Sequence, residues 1–206
     1  MSEVKTYFVS GIGTDVGKTI CSAILVEALQ ADYWKPVQAG GLDFTDAMRV
    51  KSLITNSTSA FFEERYLLKQ PMSPHAAAKA ENVKIKLSDF QLPQTHQNFI
   101  IEGAGGLMVP INDEGDLMID LIAHLKAEVI LISQNYLGSI NHTLLSIEAL
   151  KLRNLTVAGI IFNGPSNKES EEIILKISEL KCLGKISMAE FISPKFILEE
   201  AAKISF

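Results

Sequence analysis

The chain has 206 residues, of which 47% are hydrophobic and 21% are charged, as in ordinary globular proteins and unlike disordered or fibrous chains. Lysine and arginine number 19 against 24 aspartates and glutamates, and the net charge of −5 excludes partners held by bulk positive charge, such as nucleic acid or anionic membranes. At this length we expect one domain over residues 1–206, with a core that needs no disulfide or structural metal.

The sequence also predicts a cellular location. No apolar run approaches the roughly 18 residues that span a bilayer, and Glu3 precedes any hydrophobic stretch, unlike a secretory signal. We therefore expect a cytoplasmic protein without a membrane partner. Cys21 and Cys182 lack the paired spacing of a zinc or redox motif, so both are expected to be buried thiols.

Short apolar runs alternate with longer amphipathic segments along the chain. Strands buried on both faces are predicted at Tyr7–Ser10, Asn98–Ile101, Val129–Ser133 and Val157–Phe162, with a further short candidate at Tyr33–Val37. Helices are predicted at Lys18–Ala31, Pro74–Glu81, Asp116–Lys126, Ile140–Arg153, Lys168–Leu180 and Pro194–Ile204. This alternation predicts an α/β fold, a doubly wound, mainly parallel sheet with helices on both faces.

A glycine-containing turn joins the first predicted strand to the first helix. It reads Gly11-Ile12-Gly13-Thr14-Asp15-Val16-Gly17-Lys18-Thr19. Backbone amides in such a turn can surround a phosphate, Lys18 supplies a cation, and the Thr19 hydroxyl can ligate magnesium. A standard P-loop needs glycine at position 12, where Ile12 stands, so a plain strand-to-helix turn is the alternative. The context of strand, turn, Gly-Lys-Thr and helix favours nucleotide binding by Gly13–Thr19.

Three charged residues further along the chain are candidates for the same site. Glu102 leaves a buried strand at its carboxyl end and is a candidate magnesium ligand, although the amides of its own glycine loop could satisfy it instead. Asp46 is a second candidate, and helix capping or a favourable first-turn charge explains it equally well. Lys35 adds a cation near the same sheet edge, or is an ordinary surface lysine.

Five segments, taken in order, resemble the dethiobiotin synthetase family over most of the chain. They are Gly11–Thr19, Lys35–Gly40, Ser73–His75 with the alanines after it, Glu102–Gly106 and Gly138–His142. The family's P-loop has the same extra residue before Gly-Lys-Thr, so the departure at Ile12 supports the resemblance. It implies a P-loop NTPase-like fold and an ATP-dependent enzyme of biotin biosynthesis.

The resemblance implies that 7,8-diaminononanoate, carbon dioxide or bicarbonate, and ATP give dethiobiotin, ADP and phosphate. A carbamate forms on one amine, takes the γ-phosphoryl group to become a carbamic-phosphoric anhydride, and is attacked by the second amine. By the same resemblance Lys18 and Lys35 stabilise the carbamate and the transferring phosphoryl group. Mg²⁺ held by Thr19, Asp46 and Glu102 bridges the phosphates.

Further substrate contacts are implied by the resemblance. Thr14 and Asp15 match family residues that face the substrate, although local turn chemistry also explains them. Ala39 stands where relatives often carry a hydroxyl, and the backbone of Gly103-Ala104-Gly105-Gly106 can approach the substrate closely. The helix start Gly138-Ser139-Ile140-Asn141 matches residues that bind the substrate carboxylate from the partner subunit, which implies a homodimer with the site at the subunit interface.

The nucleotide base has its own candidate residue. Asn163 ends a predicted strand and matches a family asparagine that contacts adenine, whereas a turn before Gly164-Pro165 is the alternative. The family's Gly-x-Ile-Pro segment reads Gly184-Lys185-Ile186-Ser187 in this chain. Since serine frees the φ angle that proline fixes, we expect a looser loop over the base and modest discrimination among nucleoside triphosphates.

Two other functions share the predicted fold. A partitioning or metallochaperone ATPase has a similar P-loop but carries a second lysine early in it, where this chain has Ile12 and Gly13. An ATP-dependent amidotransferase domain would need a glutaminase partner domain, for which no residues remain. Neither alternative explains the segments that resemble the synthetases.

Overall fold

The structure, a computed structural model, describes residues 4–206, in which short strands alternate with helices. The strands are β1 (Thr6–Gly11), β2 (Asp32–Trp34), β3 (Val37–Ala39), β4 (Phe61–Phe62), β5 (Tyr66–Leu68), β6 (Phe99–Gly106), β7 (Glu128–Gln134), β8 (Val157–Asn163) and β9 (Cys182–Ile186). The helices are α1 (Lys18–Leu29), α2 (Asp46–Leu53), α3 (Pro74–Ala80), α4 (Met118–Leu125), α5 (Ser139–Leu152), α6 (Lys168–Ser178) and α7 (Pro194–Ala201). No helix in this range is long and apolar enough to cross a membrane.

A central sheet carries the candidate site near the carboxyl ends of its middle strands. Its strands lie in the order β4-β2-β6-β1-β7-β8-β9, and each neighbouring pair is parallel. The strands that follow β1 in the chain build first one side of the sheet and then the other. The crevice at the carboxyl end of β1 therefore lies where such sheets bind ligands. β3 and β5 form a separate, two-stranded parallel sheet beside it.

Both faces of the central sheet are covered, as the apolar runs predicted. In β1, Phe8 packs into a cluster that includes α4, whereas its neighbour Val9 packs into a cluster that includes α1 and α7. Successive strand residues point to opposite faces, so alternate residues of one strand fill two cores. The predicted doubly wound α/β fold is confirmed.

The single strand predicted at Tyr33–Val37 is wrong. The chain forms β2 up to Trp34, leaves the central sheet at Lys35-Pro36, and begins β3 in the small sheet at Val37. Pro36 has no N–H to donate to a ladder, which favours a break at this point. The break matters for the site, because it leaves Lys35 at the end of the strand that neighbours β6.

Several elements were not predicted or end elsewhere. The segment Gly184–Ile186, expected in a loop, belongs to the edge strand β9, and only Ser187 follows that strand. Cys21 is fully buried as predicted, but Cys182 in β9 is only half-buried. The final helix stops at Ala201, three residues before its predicted end. Short strands such as β4 and β5, with two and three residues, are too brief to show a period.

Candidate active site

The turn between β1 and α1 has the backbone geometry of a phosphate-binding loop. Gly17 stands just before α1 with a φ of 86°, and a Cβ there would lie 2.1 Å from the Asn163 amide nitrogen. Glycine is therefore required by both conformation and space. The Lys18 ammonium folds back to donate to the Gly13 carbonyl at 3.0 Å. The loop thus holds a buried cation beside the amides that begin α1.

Four side chains from separate elements meet beside the carboxyl end of β2, and we call Thr19, Lys35, Asp46 and Glu102 the carboxylate–lysine cluster. Glu102 lies within β6, because that strand continues to Gly106 and does not end at Ile101 as predicted. The Lys35 ammonium lies 2.6 Å from Asp46 and 2.9 Å from Glu102. The Thr19 hydroxyl donates to the same Glu102 oxygen, Oε1, at 2.9 Å. Lys35 is therefore no free surface lysine, and its side chain is only 5% exposed.

Burial and opposite charge compete in setting the pKa values of the cluster. Burial lowers the pKa of Lys35, but the Glu102 and Asp46 carboxylates outweigh burial and leave this pKa raised. Burial raises the pKa of Asp46, but the Lys35 ammonium outweighs it and leaves this pKa lowered. Burial and the neighbouring Lys35 both lower the pKa of Lys18. Lys35 and Asp46 are therefore an ion pair at neutral pH.

Glu102 is the most deeply buried carboxylate of the cluster, with its side chain 1% exposed. A buried carboxylate is stable only when its oxygens are hydrogen-bonded. Oε1 accepts from Thr19 and Lys35, and Oε2 accepts from the Tyr33 hydroxyl at 2.8 Å. The amides of the glycine loop, which the sequence left open as partners, are not needed to satisfy it.

Asp46 begins α2 but does not cap it. Thr45 is the capping residue, because its side chain accepts from the Met48 amide at 3.2 Å. The Asp46 carboxylate is left to pair with Lys35. The Gln38 amide group joins the two ends of the loop before α2, donating to the Gly40 carbonyl at 2.9 Å and accepting from the Asp46 amide at 3.3 Å. A short loop is thereby held in one position.

A cavity of about 770 Å³ opens above the cluster. Of the predicted nucleotide and substrate residues, those that line it are Thr14, Asp15, Gly17, Lys18, Thr19, Lys35, Ala39, Asp46, Glu102, Ala104 and Gly105. Gly103 and Gly106 instead pack against β1 and the turn, since a Cβ on Gly103 would lie 2.6 Å from Phe8. Val16 packs its side chain in the core and offers only its backbone.

Three of the four remaining predicted substrate residues, Gly138, Ile140 and Asn141, line a second pocket of about 710 Å³, which shares no lining residue with the first. We call it the α5–α6 pocket, and it is lined by residues 135–138, 140, 141, 165–167 and 170. Gly138 precedes α5 with a φ of 102°, and Ser139 is buried, whereas Leu137 is fully exposed. Within one chain, Gly138, Ile140 and Asn141 are thus separated from the carboxylate–lysine cluster.

Asn163 and Glu171 organise the loops between the two pockets. Asn163 donates from its amide nitrogen to the Val16 carbonyl at 2.9 Å, which ties the end of β8 to the turn. The buried Glu171 accepts from the Asn135 side chain at 2.8 Å and from the Asn167 amide at 2.9 Å, and it pairs with Lys185 at 2.6 Å. One carboxylate therefore joins β9 to two loops that line the α5–α6 pocket.

Two residues of the site were not predicted from the sequence. Tyr33 lies within an apolar strand and resembles any core aromatic, and Gln38 lies in the three-residue strand β3, whose composition resembles that of a turn. A polar side chain in each of the two short strands flanking Lys35 was the only available signal.

The oxygen donors of the cluster suit a magnesium ion. Magnesium is usually held through one or two carboxylates together with water and substrate phosphates. A hydroxyl from Thr19 and carboxylates from Asp46 and Glu102 provide that donor set at the phosphate-binding turn. The cluster has only two carboxylates, so substrate phosphates and water would complete the coordination. Within residues 4–206 there is no group of three or more histidine, cysteine or acidic side chains that could hold a metal ion by itself.

Comparison with known sequences identifies close relatives. Residues 5–195 match a family model described as an AAA domain. The chain is 54% identical to the ATP-dependent dethiobiotin synthetase BioD of Cytophaga hutchinsonii, over 98% of this chain and 97% of that protein. It is 48% identical to the protein of the same name from Christiangramia forsetii, over 97% of this chain and 95% of that protein.

Comparison with solved structures gives more distant neighbours. A plasmid partition protein from Borrelia burgdorferi bound to AMPPNP aligns with a TM-score of 0.61 at 14% identity, covering 98% of this chain and 96% of that chain. The septum site-determining protein MinD of Pyrococcus horikoshii, complexed with Mg-ADP, aligns with a TM-score of 0.57 at 15% identity, covering 98% and 88%. At these identities the likeness shows the fold alone, which is the predicted P-loop fold.

Proposed function

The chain belongs to the family of ATP-dependent dethiobiotin synthetases, and on that premise we propose that it converts 7,8-diaminononanoate, carbon dioxide and ATP into dethiobiotin, ADP and phosphate. The observation that carries the proposal is the meeting of Lys18, Lys35 and Glu102 at one cavity. A P-loop alone binds nucleotide, but this reaction also needs a second cation for the carbamate. Lys35, held beside the loop by two carboxylates, meets that need.

The reaction develops negative charge at each stage, and the site opposes that charge with buried cations. Lys18 and the amides at the start of α1 bind the phosphates of ATP, and Lys35 lies where it can contact the carbamate. Magnesium, held by Thr19, Asp46 and Glu102, would neutralise phosphate charge when bound. Asp15 and Thr14, at the cavity wall, orient the diamine.

Positioning supplies most of the remaining rate enhancement. The carbamate oxygen attacks the γ-phosphorus and ADP leaves, and the second amine then attacks the carbamate carbon and expels phosphate. When both amines of one substrate are held together, this ring closure is intramolecular, which is worth about 7–11 kcal/mol of the barrier. The backbone of Ala104 and Gly105, which lines the cavity, approaches the substrate without side-chain bulk.

The base of ATP binds near the end of β8 in this proposal. Asn163 donates one amide hydrogen to Val16 and retains a carbonyl oxygen and a second hydrogen, so that adenine recognition and loop support are compatible roles. The residues after β9, beginning at Ser187, are expected to lie over the base.

The substrate carboxylate binds in the α5–α6 pocket of a partner subunit in this proposal. The separation of the two pockets within one chain supports a site completed by a second copy. Apolar side chains are exposed at α5, namely Leu137 just before this helix and Leu145 and Leu152 within it. Their exposure supports a surface that another chain covers. The amides that begin α5 favour a carboxylate.

A turnover assay tests the reaction. Phosphate release from ATP should require diaminononanoate and bicarbonate together, and omission of either should reduce it to background. Stimulation by DNA or a protein partner, without the diamine, would instead favour the partitioning-type ATPase. That alternative is not favoured, because this chain is 54% identical to a dethiobiotin synthetase, whereas the plasmid partition protein and MinD share only the fold with it, at 14% and 15% identity.

Subunit mixing tests the dimer. Chains carrying Lys18→Ala and chains carrying Asn141→Ala should each be inactive alone, and an equal mixture should recover about a quarter of wild-type activity through hybrid dimers with one intact site. Each variant mixed with itself is the control. Confirmed hybrids without activity would show that each site is made within one subunit.

A further inference from the structure

Tyr33 is a buried aromatic residue whose hydroxyl reaches the carboxylate–lysine cluster. It lies in β2, is completely buried, and donates to Glu102 Oε2 at 2.8 Å. In the sheet Tyr33 pairs with Ile100 of β6, so its side chain and those of Ile100 and Glu102 share one face. On that face Tyr33 and Ile100 belong to one apolar cluster, and only the tyrosine hydroxyl reaches the Glu102 carboxylate.

The two oxygens of Glu102 face different surroundings. Oε1 faces Thr19 and Lys35, which line the cavity, whereas Oε2 faces the buried hydroxyl of Tyr33. Within residues 4–206 the Tyr33 hydroxyl is the one hydrogen-bond donor to Oε2. Around it the α1 face of the sheet is apolar, with Val9, Ile24 and Ile100 in the same cluster as Tyr33. Without this donor, one oxygen of a buried carboxylate would face hydrocarbon.

A neutral donor has a particular effect at this position. A second lysine under Glu102 would neutralise the charge that a metal ion needs, whereas a hydroxyl satisfies Oε2 and leaves the charge on the carboxylate. The hydrogen bond also fixes the rotation of the carboxylate group, because each oxygen has its own partner. Oε1 is thereby directed at the cavity.

We propose that Tyr33 is a positioning residue that orients Glu102 for the magnesium–nucleotide complex. The inference rests on the proposed metal role of Glu102. Loss of a hydrogen-bond partner behind a metal ligand typically weakens metal affinity by about 10- to 100-fold. Tyr33→Phe should therefore weaken the magnesium-dependent part of nucleotide binding by roughly tenfold, while the affinity for ADP without magnesium stays within about twofold.

The experiment measures ADP binding by calorimetry at a series of magnesium concentrations, on the full-length wild type, on three single variants and on the double variant of Tyr33→Phe with Glu102→Gln. Tyr33→Phe retains the ring, which packs 5.5 Å from the Phe61 ring, and so retains most of the buried surface. Tyr66→Phe removes another hydroxyl, one bonded to Lys84 and Asp89 away from the cavity, and should leave magnesium dependence unchanged. Glu102→Gln tests the metal role itself.

The variants distinguish the metal role of Glu102 from the positioning role of Tyr33. If Glu102→Gln leaves magnesium dependence unchanged, the metal role of Glu102 fails and the inference fails with it. If Glu102→Gln weakens magnesium dependence but Tyr33→Phe does not, the inference alone is overturned. The double variant should bind magnesium no more weakly than Glu102→Gln, since Tyr33 acts through Glu102. Additive losses would indicate a role for Tyr33 independent of that carboxylate and would also overturn the inference.

A second measurement does not depend on the folding of Tyr33→Phe. The chain has four tyrosines, so protein labelled with 3-fluorotyrosine has four fluorine sites. Glu102→Gln should shift one resonance, that of Tyr33, and magnesium added to the ADP complex of the wild type should shift the same resonance. A magnesium titration that leaves this resonance unmoved would overturn the inference.

Discussion

The carboxylate–lysine cluster and the α5–α6 pocket are built in contrasting ways. In the cluster, Lys35 directly after β2 and Glu102 within β6 are almost completely buried, and each charged group has a partner of opposite charge. The α5–α6 pocket is bounded by loops and by the start of one long helix, with Leu137 fully exposed at its rim. The charged groups of the cluster are all partnered within a single chain, whereas the α5–α6 pocket has an exposed apolar rim that a second chain could cover.

The contrast indicates which of the two regions tolerates amino-acid substitutions. A buried ion pair is intolerant of losing one partner, because the other charge is then left without compensation. A loop-borne pocket tolerates change in shape but depends on the contacts that hold its loops. We therefore expect substitutions in the cluster to reduce the rate of reaction, and substitutions of the residues that hold the loops of the α5–α6 pocket in place, such as Glu171, to act mainly through stability.

The largest expected effect is on the phosphoryl step. Lys18→Ala and Glu102→Gln should each reduce turnover by about 10²- to 10³-fold, because each removes a preorganised charge contact. Turnover is measured at saturating magnesium and substrates, with circular dichroism to verify folding. Lys168→Ala, which removes an exposed lysine at the start of α6, is the control. Near-normal turnover in Lys18→Ala or in Glu102→Gln would contradict the role assigned to that residue.

The next effect is on stability and comes from Glu171, which supports the α5–α6 pocket. Glu171→Gln should lower the free energy of unfolding by about 2 kcal/mol at pH 7, the scale of hydrogen bonds to a charged group. Urea unfolding gives this value, and Glu169→Gln on the same helix is the control. Activity per folded molecule should fall less than in Glu102→Gln, which would sharpen the contrast between the two regions.

The pH dependence of the Glu171 effect has a definite sign. Burial raises the pKa of Glu171, but Lys185 and the donors around it outweigh burial and leave the pKa lowered. The stabilisation is therefore complete above the unfolded-state pKa of about 4.3 and is lost as pH falls through the lowered native value. Because glutamine does not titrate, wild type and variant should converge in acid. A difference that stayed constant below pH 4 would contradict this assignment.

A smaller effect is expected for Asp46, the most exposed carboxylate of the cluster, with its side chain 31% exposed. Asp46→Asn should raise the magnesium concentration for half-maximal activity by roughly tenfold, within the range seen for metal-site partners. Asp43→Asn, an exposed aspartate in the loop before α2, serves as the control. Unchanged magnesium dependence in Asp46→Asn would return this residue to a favourable charge in the first turn of α2.

The smallest effect concerns the choice of nucleotide. Because Ser187 follows β9 without the constraint of proline, ATP, GTP and CTP should compete with affinities within about tenfold of one another. Ser187→Pro should increase the preference for ATP. A preference of about a hundredfold or more for ATP in the wild type, typical of a site with well-satisfied base hydrogen bonds, would contradict the expectation.

Much of the site could be predicted from residues at strand ends. The four long strands and the turn at Gly11–Thr19 have strong local patterns, and the carboxyl ends of parallel strands meet at one edge. That rule is enough to place Thr19, Lys35 and Glu102 near one another. The Asp46 pairing depended on a loop held by Gln38, whose side-chain hydrogen bonds leave no periodic signal in the sequence.

The remaining features depended on tertiary packing. The break at Lys35-Pro36 separates two strands of three residues each, too short for a period to distinguish them from one. The edge strand β9 contains a glycine and a lysine and is only five residues long, so that composition favoured a loop. Tyr33 illustrates a general difficulty, since a buried tyrosine with a polar partner and one without have the same appearance in sequence.

Cys21 offers a built-in reporter of how often the P-loop helix opens. The thiol lies in α1 three residues after Lys18 and is completely buried, and burial raises its pKa. Thiol-reactive reagents, which react with the thiolate, can therefore modify Cys21 at neutral pH only when α1 separates from the sheet. The half-buried Cys182 reacts as an internal reference. The ratio of the Cys21 labelling rate to the Cys182 labelling rate therefore reports how often α1 separates from the sheet. ADP bound at the turn should slow the reaction of Cys21 and leave that of Cys182 unchanged.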